Sequence, residues 1–81
     1  MKAHASPKFD AQYATLPKRL QKLARKQVDF LVENIRHPSL RAKKYHETED
    51  VWQARIDHAY RFYFKINGDT YTLLAIKRHA D

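Results

Sequence analysis

The apolar residues of this chain change their spacing once, near residue 50, and that change restricts the fold more than any other feature. Before it they follow a helical repeat. Leu20, Ala24, Val28, Leu31 and Ile35 recur every three or four positions, forming one stripe of an amphipathic helix flanked by Leu23 and Phe30. After it the repeat is two. Trp52, Ala54 and Ile56 alternate with Gln53, Arg55 and Asp57 over 51–57; Tyr60, Phe62, Phe64 and Ile66 alternate with Arg61, Tyr63 and Lys65 over 60–66. Alternation of this kind makes strands with one apolar face. Asn67 and Gly68, the latter the single Gly of the chain, supply a tight hairpin, and another strand follows over 70–77.

Local punctuation divides the first half. Ser6 before Pro7 reads as an N-cap followed by proline at the first helical position, for a short helix to about Tyr13. Thr15, Leu16 and Pro17 break that helix and restart the chain into the long one. His37 before Pro38 marks the end of the long helix, because a residue preceding proline is pushed out of the helical region. A basic connector, 41–45, and an acidic turn, 47–50, lead into the strands. Helices first and strands afterwards predict an α+β layer: an N-terminal two-helix hairpin packed on one face of a twisted antiparallel sheet of three to four strands. A further strand would come from either Lys2–Ala5 or Lys43–His46, both too short to carry a period of their own.

Composition removes several chemistries. A chain of 81 residues accommodates one domain, 1–81, and excludes a two-domain enzyme with a separate cofactor fold. There is no Cys for a disulfide or a thiolate metal site, and the five His show no paired spacing, so no metal or cofactor is expected. Ser6 and Ser39 are each next to a proline and give no support to Ser/His/Asp catalysis. No run approaches ~18 apolar residues and 1–7 lacks the apolar core of a secretory signal, so no membrane partner is expected and the expected location is cytoplasmic.

Charge points to a partner. The net formal charge is +7, and it is unevenly placed: residues 1–46 hold 11 Lys/Arg against 3 Asp/Glu, residues 47–81 hold 5 against 6. A basic half of this kind suits a polyanion, nucleic acid before membrane. The polar sheet face carries Gln53, Arg55, Arg61, Tyr63 and Lys65, with Asp57 its one acidic member. Cations held on strands are better fixed than cations on loops, which suits a site that grips a phosphate or stabilises a pentavalent phosphorus. Hairpin register decides what the last strand adds. A two-residue loop turns Thr70, Thr72, Leu74, Ile76 and Arg78 to that face; a three-residue loop turns Tyr71, Leu73, Ala75, Lys77 and His79 to it. Of the histidines, His79 lies near the cationic face, whereas His58 sits in an exposed turn.

Read together, HPSLRAKK at 37–44, VWQARI at 51–56, YRF at 60–62, NGDT at 67–70 and HAD at 79–81 resemble the RelE/ParE toxin superfamily, small basic toxins of bacterial type II toxin–antitoxin systems. No single motif is diagnostic; their order and spacing along nearly the whole chain carry the likeness. The resemblance implies a cognate antitoxin and one of two activities, ribosome-dependent mRNA cleavage (RelE-like) or poisoning of DNA gyrase (ParE-like), with a degenerate, antitoxin-binding member as a third reading. The RelE-like activity is the leading one, with ribosome and mRNA as partners. In that reaction the ribose 2′-OH attacks the adjacent phosphate. By the same resemblance Arg61 takes the family's strand arginine position, and Gln53 and Arg55 fall where two lysines are common. His79 lies near a terminal basic or histidine position. Arg61, Arg55 and His79 are therefore the expected catalytic residues. Arg41, Lys43, Lys44, Gln53, Lys65 and Arg78 are the expected RNA-binding ones.

Overall fold

Two helices cover one face of a five-stranded sheet in a computed structural model that describes residues 1–46 and 49–79. The expected acidic turn is thus only partly within the described residues, and Ala80 and Asp81 lie outside them. In chain order the elements are β1 (Lys2–Ala5), α1 (Pro7–Ala14), α2 (Lys18–Glu33), a single 3₁₀ turn (Pro38–Leu40), β2 (Lys43–His46), β3 (Val51–Arg55), β4 (Tyr60–Asn67) and β5 (Thr70–Arg78). The strands lie side by side in the order β1, β5, β4, β3, β2. Both short segments are strands, so the sheet has five rather than three to four, and it is mixed: β1 runs parallel to β5 at one edge. Four residues are too few to display a period, which is why neither edge strand stands out in the sequence.

Helix boundaries follow from their caps. Ser6 is extended, and its Oγ accepts from the Phe9 N–H at 3.1 Å, with Pro7 opening α1. The same hydroxyl donates to the Leu74 carbonyl at 3.1 Å. Helix α2 stops at Glu33, four residues before His37, the end expected from Pro38. Asn34 is the cause. Its Oδ1 accepts from the Arg36 N–H at 3.0 Å and its carbonyl accepts from the His37 N–H at 2.9 Å, a local turn that replaces further helix. Ile35 still packs on the core from beyond the helix end.

The core is built where the apolar stripe meets the inward strand positions. Phe62, Phe64, Leu31 and Leu40 are its largest fully buried side chains. Phe9 meets Phe62 edge to face, with centroids 6.5 Å apart, and Phe64 meets Tyr71 likewise at 5.5 Å. Gln27, on the buried side of α2, is the one polar residue of that helix in the interior.

Strand β5 contains a bulge that decides which residues face outward. From the hairpin inwards, Asn67 pairs with Thr70, Ile66 with Tyr71 and Phe64 with Leu73; beyond Leu74 the pairs are Tyr63 with Ala75, Phe62 with Ile76 and Arg61 with Lys77. Leu74 is the extra residue. The hairpin loop is Gly68 and Asp69, with Gly68 at φ 58, so neither expected register holds throughout. Near the loop Thr70 and Thr72 share the face of Lys65 and Asn67, as in the first alternative. Past the bulge Ala75 and Lys77 share the face of Tyr63 and Arg61, as in the second. Where β1 ends, α1 finishes the open edge of β5: the Ile76 N–H donates to Gln12 Oε1 at 2.7 Å.

Candidate functional site

The outward face gathers cations because three neighbouring strands place them in register. Gln53 pairs with both Lys43 on β2 and Tyr63 on β4, and Arg55 on β3 lies directly opposite Arg61 on β4. Arg41 precedes β2 in the left-handed region, φ 46 and ψ 44, an uncommon backbone state for a residue with a side chain. His79 follows β5, its amide donating to the Ala59 carbonyl at 2.6 Å. These elements enclose a cleft of about 200 Å³ lined by Arg41, Lys43, Gln53, Ala54, Arg55, Arg61 and His79.

Of the expected site residues, the structure brings Arg41, Lys43, Gln53, Arg55, Arg61 and His79 to one cleft. It does not bring Lys44, Lys65 or Arg78. Lys44 pairs with Trp52, on the opposite face from Lys43, and its Nζ lies 3.4 Å from Asp50 Oδ1. Lys65 shares the outward face but sits opposite Thr72, toward the hairpin. Arg78 pairs with Tyr60, and the β5 bulge therefore gives the cleft His79 instead.

Arginine geometry distinguishes two roles. Arg61 Nη1 donates to the carbonyls of Asp57, His58 and Tyr60, at 2.7, 3.1 and 3.1 Å, bracing the β3–β4 turn. The same turn is closed by Asp57 Oδ1, which accepts from the Ala59 and Tyr60 N–H groups at 2.9 and 2.8 Å. Asp57 is therefore committed to backbone and does not line the cleft. Arg55 Nε is sealed from solvent without a hydrogen-bond partner among the described residues. Desolvation, then the charges of Arg41 and Arg61, hold the Arg55 guanidinium below its ordinary pKa, against a smaller opposing effect of Asp57. Two like charges directly opposite on adjacent strands destabilise a sheet, and a buried donor without an acceptor adds to that cost. An anion in the cleft relieves both.

This predicts that pyrophosphate raises the melting temperature of the protein by several °C, since a ligand at 100 times its Kd contributes about 2.7 kcal/mol. Arg55→Gln should melt at least as high as the parent without ligand and lose most of the shift. An unchanged shift in Arg55→Gln counts against Arg55 as an anion ligand.

Behind the cleft, Gln27 fixes the strand that carries Arg55. Its Nε2 donates to the carbonyls of Ser39 and Arg55, at 3.1 and 2.8 Å, and its Oε1 accepts from Ser39 Oγ at 3.2 Å. Helix α2, the 3₁₀ turn and the end of β3 are thus tied by one side chain. Gln27→Leu keeps the bulk and removes the bonds. It should cost about 1–3 kcal/mol, seen as a lower urea midpoint; an unchanged midpoint would show the bonds to be dispensable. Sequence reasoning missed Gln27 because it is polar, although it lies seven residues after Leu20, on the apolar side.

No protein-family model matches the chain, and no curated protein matches it by sequence. Its fold does match solved structures. It is similar to a YoeB/ParE toxin from Agrobacterium tumefaciens, with TM-score 0.80 and 13% identity, over 99% of this chain and 100% of that one. It is similar to the archaeal RelE–RelB complex from Pyrococcus horikoshii, with TM-score 0.78 and 20% identity, over 95% of this chain and 92% of that one. It is similar also to the YoeB–YefM complex from Staphylococcus aureus, with TM-score 0.78 and 15% identity, over 99% and 98%. The expected RelE/ParE-like fold is therefore the observed one, with five strands in place of three to four.

Proposed function

We propose that this chain, as one 1–81 domain, is the toxin of a type II toxin–antitoxin pair and a ribosome-dependent mRNA endonuclease acting in the cytoplasm. The observation that carries the reading is the opposed Arg55–Arg61 pair, with the Arg55 Nε unpartnered and no carboxylate lining the cleft among the described residues. Solved relatives of the fold include toxins and toxin–antitoxin complexes, which supports an antitoxin as partner. Helix α2 exposes Lys18, Arg19, Lys22, Arg25 and Lys26, a basic surface for an acidic protein or for ribosomal RNA.

The reaction requires little covalent chemistry from the protein. The ribose O2′ bonds to the adjacent phosphorus, the bond from phosphorus to the leaving O5′ breaks, and the products are a cyclic phosphate and a 5′-hydroxyl. Negative charge grows on the non-bridging oxygens, where Arg55 and Arg61 neutralise it. Arg61 has five N–H donors, and only those on Nη1 are bonded to protein among the described residues, so a fork remains for phosphate oxygens. His79, which lines the cleft, takes the O2′ proton or delivers one to O5′. A cleft rich in cations and poor in bases depends on orientation, which suits an RNA already held by a larger scaffold.

Purified protein mixed with ribosomes programmed with mRNA should yield cleaved message within minutes. Message that stays intact after prolonged incubation overturns the endonuclease reading.

A further inference from the structure

A second cavity, of about 420 Å³, shares a wall with the cleft. Its lining includes Pro38, Ala42 and Trp52, with Arg36, His37 and Arg41 around them, and no carboxylate lines it among the described residues. Arg41 lines both spaces. Trp52 and Gln53 follow one another on β3 and so lie on opposite sides of the sheet, Trp52 at the second cavity and Gln53 at the cleft. The short stretch 41–42, which leads into edge strand β2, therefore separates the two. Both aromatic walls are held in place. Trp52 stacks on the buried Phe64, with centroids 6.2 Å apart at 22°, and His37 stacks on Phe30 at 3.8 Å and 8°. Ser39 Oγ lies 2.9 Å from Nδ1 of that imidazole and fixes it further.

Arg41 is the informative residue. It sits at φ 46 and ψ 44 directly after the 3₁₀ turn, in a left-handed state for which glycine is the ordinary choice. A long side chain there costs backbone energy. No hydrogen bond or ion pair of its side chain to another described residue offsets that cost, and its charge opposes that of Arg55. The residue is thus poorly explained by stability and well placed for a ligand. A cationic cleft joined through one arginine to a cavity with flat, fixed aromatic walls suits an anion that is flat at one end and phosphorylated at the other. A nucleotide has that form, and only an unpaired one can carry its base round the edge of the sheet. We propose that the cavity at Trp52 holds one unpaired base of single-stranded RNA whose backbone lies in the arginine cleft, with Arg41 bridging base and phosphate. The inference rests on the reading of that cleft as an RNA phosphate site and adds the place where a base is held.

Trp52 is the only tryptophan of the chain, so its emission reports on this cavity directly. The probes are a short 2′-O-methylated oligoadenylate, which cannot be cleaved, the same strand without bases, and pyrophosphate. Binding to the full chain is measured by calorimetry, and tryptophan emission is followed with excitation beyond the absorption of adenine. The oligoadenylate should quench Trp52 saturably and bind about 10-fold tighter than the abasic strand. The abasic strand and pyrophosphate should bind without quenching. Arg41→Gly should melt no lower than the parent and bind the oligoadenylate about 10-fold more weakly. An oligoadenylate that binds with the emission unchanged, or no more tightly than the abasic strand, overturns the base site while the phosphate cleft stands. An Arg41→Gly protein that melts well below the parent makes Arg41 a structural residue and removes it as the bridge. A parent protein that binds pyrophosphate but neither strand overturns both the base site and the RNA reading.

Discussion

Arg61→Gln is expected to lower mRNA cleavage on programmed ribosomes by about 10²–10³-fold, the usual cost of removing one preorganised donor from developing oxyanion charge. Two features of the site make this the largest effect on activity. Arg61 keeps donors without a protein partner in a cleft that no carboxylate lines among the described residues, and its position is fixed at both ends, by β4 and by the turn carbonyls. The second feature carries a complication that the experiment must separate. Losing the bonds to Asp57, His58 and Tyr60 removes a brace from the β3–β4 turn, at a cost of about 1–3 kcal/mol. Thermal melts of the variant therefore accompany the cleavage assay. Arg61→Lys is the informative companion. It retains the charge but not the planar fork, so it should recover only part of the lost rate. Cleavage by Arg61→Gln at the parental rate, in protein that melts normally, would remove Arg61 from the mechanism.

The largest effect on stability should come from Phe62→Ala, at about 3–5 kcal/mol. Phe62 is fully buried, packs edge to face against Phe9 of α1, and lies 5.8 Å from the Phe64 ring in the middle of the sheet. A cavity there separates the helical layer from β4, the strand that carries Arg61. A chain of this length has about 4–12 kcal/mol of total stability, so the variant should unfold at a small fraction of the parental urea concentration or be unfolded outright. Phe62→Leu, which refills most of the volume, should lose about 1 kcal/mol. A midpoint in Phe62→Ala close to that of the parent would mean that the aromatic layer is not the main source of cohesion.

What was legible in the sequence is what local chemistry dictates. Ser6 and Pro7 mark the start of α1, the apolar stripe marks α2, and strict alternation marks β3 and β4. The opposed arginines follow from that alternation once the two strands are paired. What was not legible depends on long-range contacts or on single irregular residues. Strand β1 exists because β5 offers it an edge, and β2 because β3 does. The end of α2 is set by the Asn34 carboxamide, which outcompetes the signal of Pro38 four residues on. The choice between Arg78 and His79 turns on the extra Leu74 in β5. A trace of that bulge was visible: Leu73 and Leu74 put two apolar residues side by side, where alternation allows one.

The parallel pairing of β1 with β5 also bears on the order of synthesis. Lys2 is opposite Thr70 and Ala5 opposite Leu73, so a strand translated early waits for one translated after nearly all the rest of the domain. Such distant partners make for slow closure, because the intervening chain must be ordered before the contact is rewarded. Strand β5 carries the chain to His79 as well. A nascent chain that stops before β5 has an unpaired first strand and lacks His79 at its cleft, so the sheet edge and the cleft are completed together, after Arg55 and Arg61 have already been made.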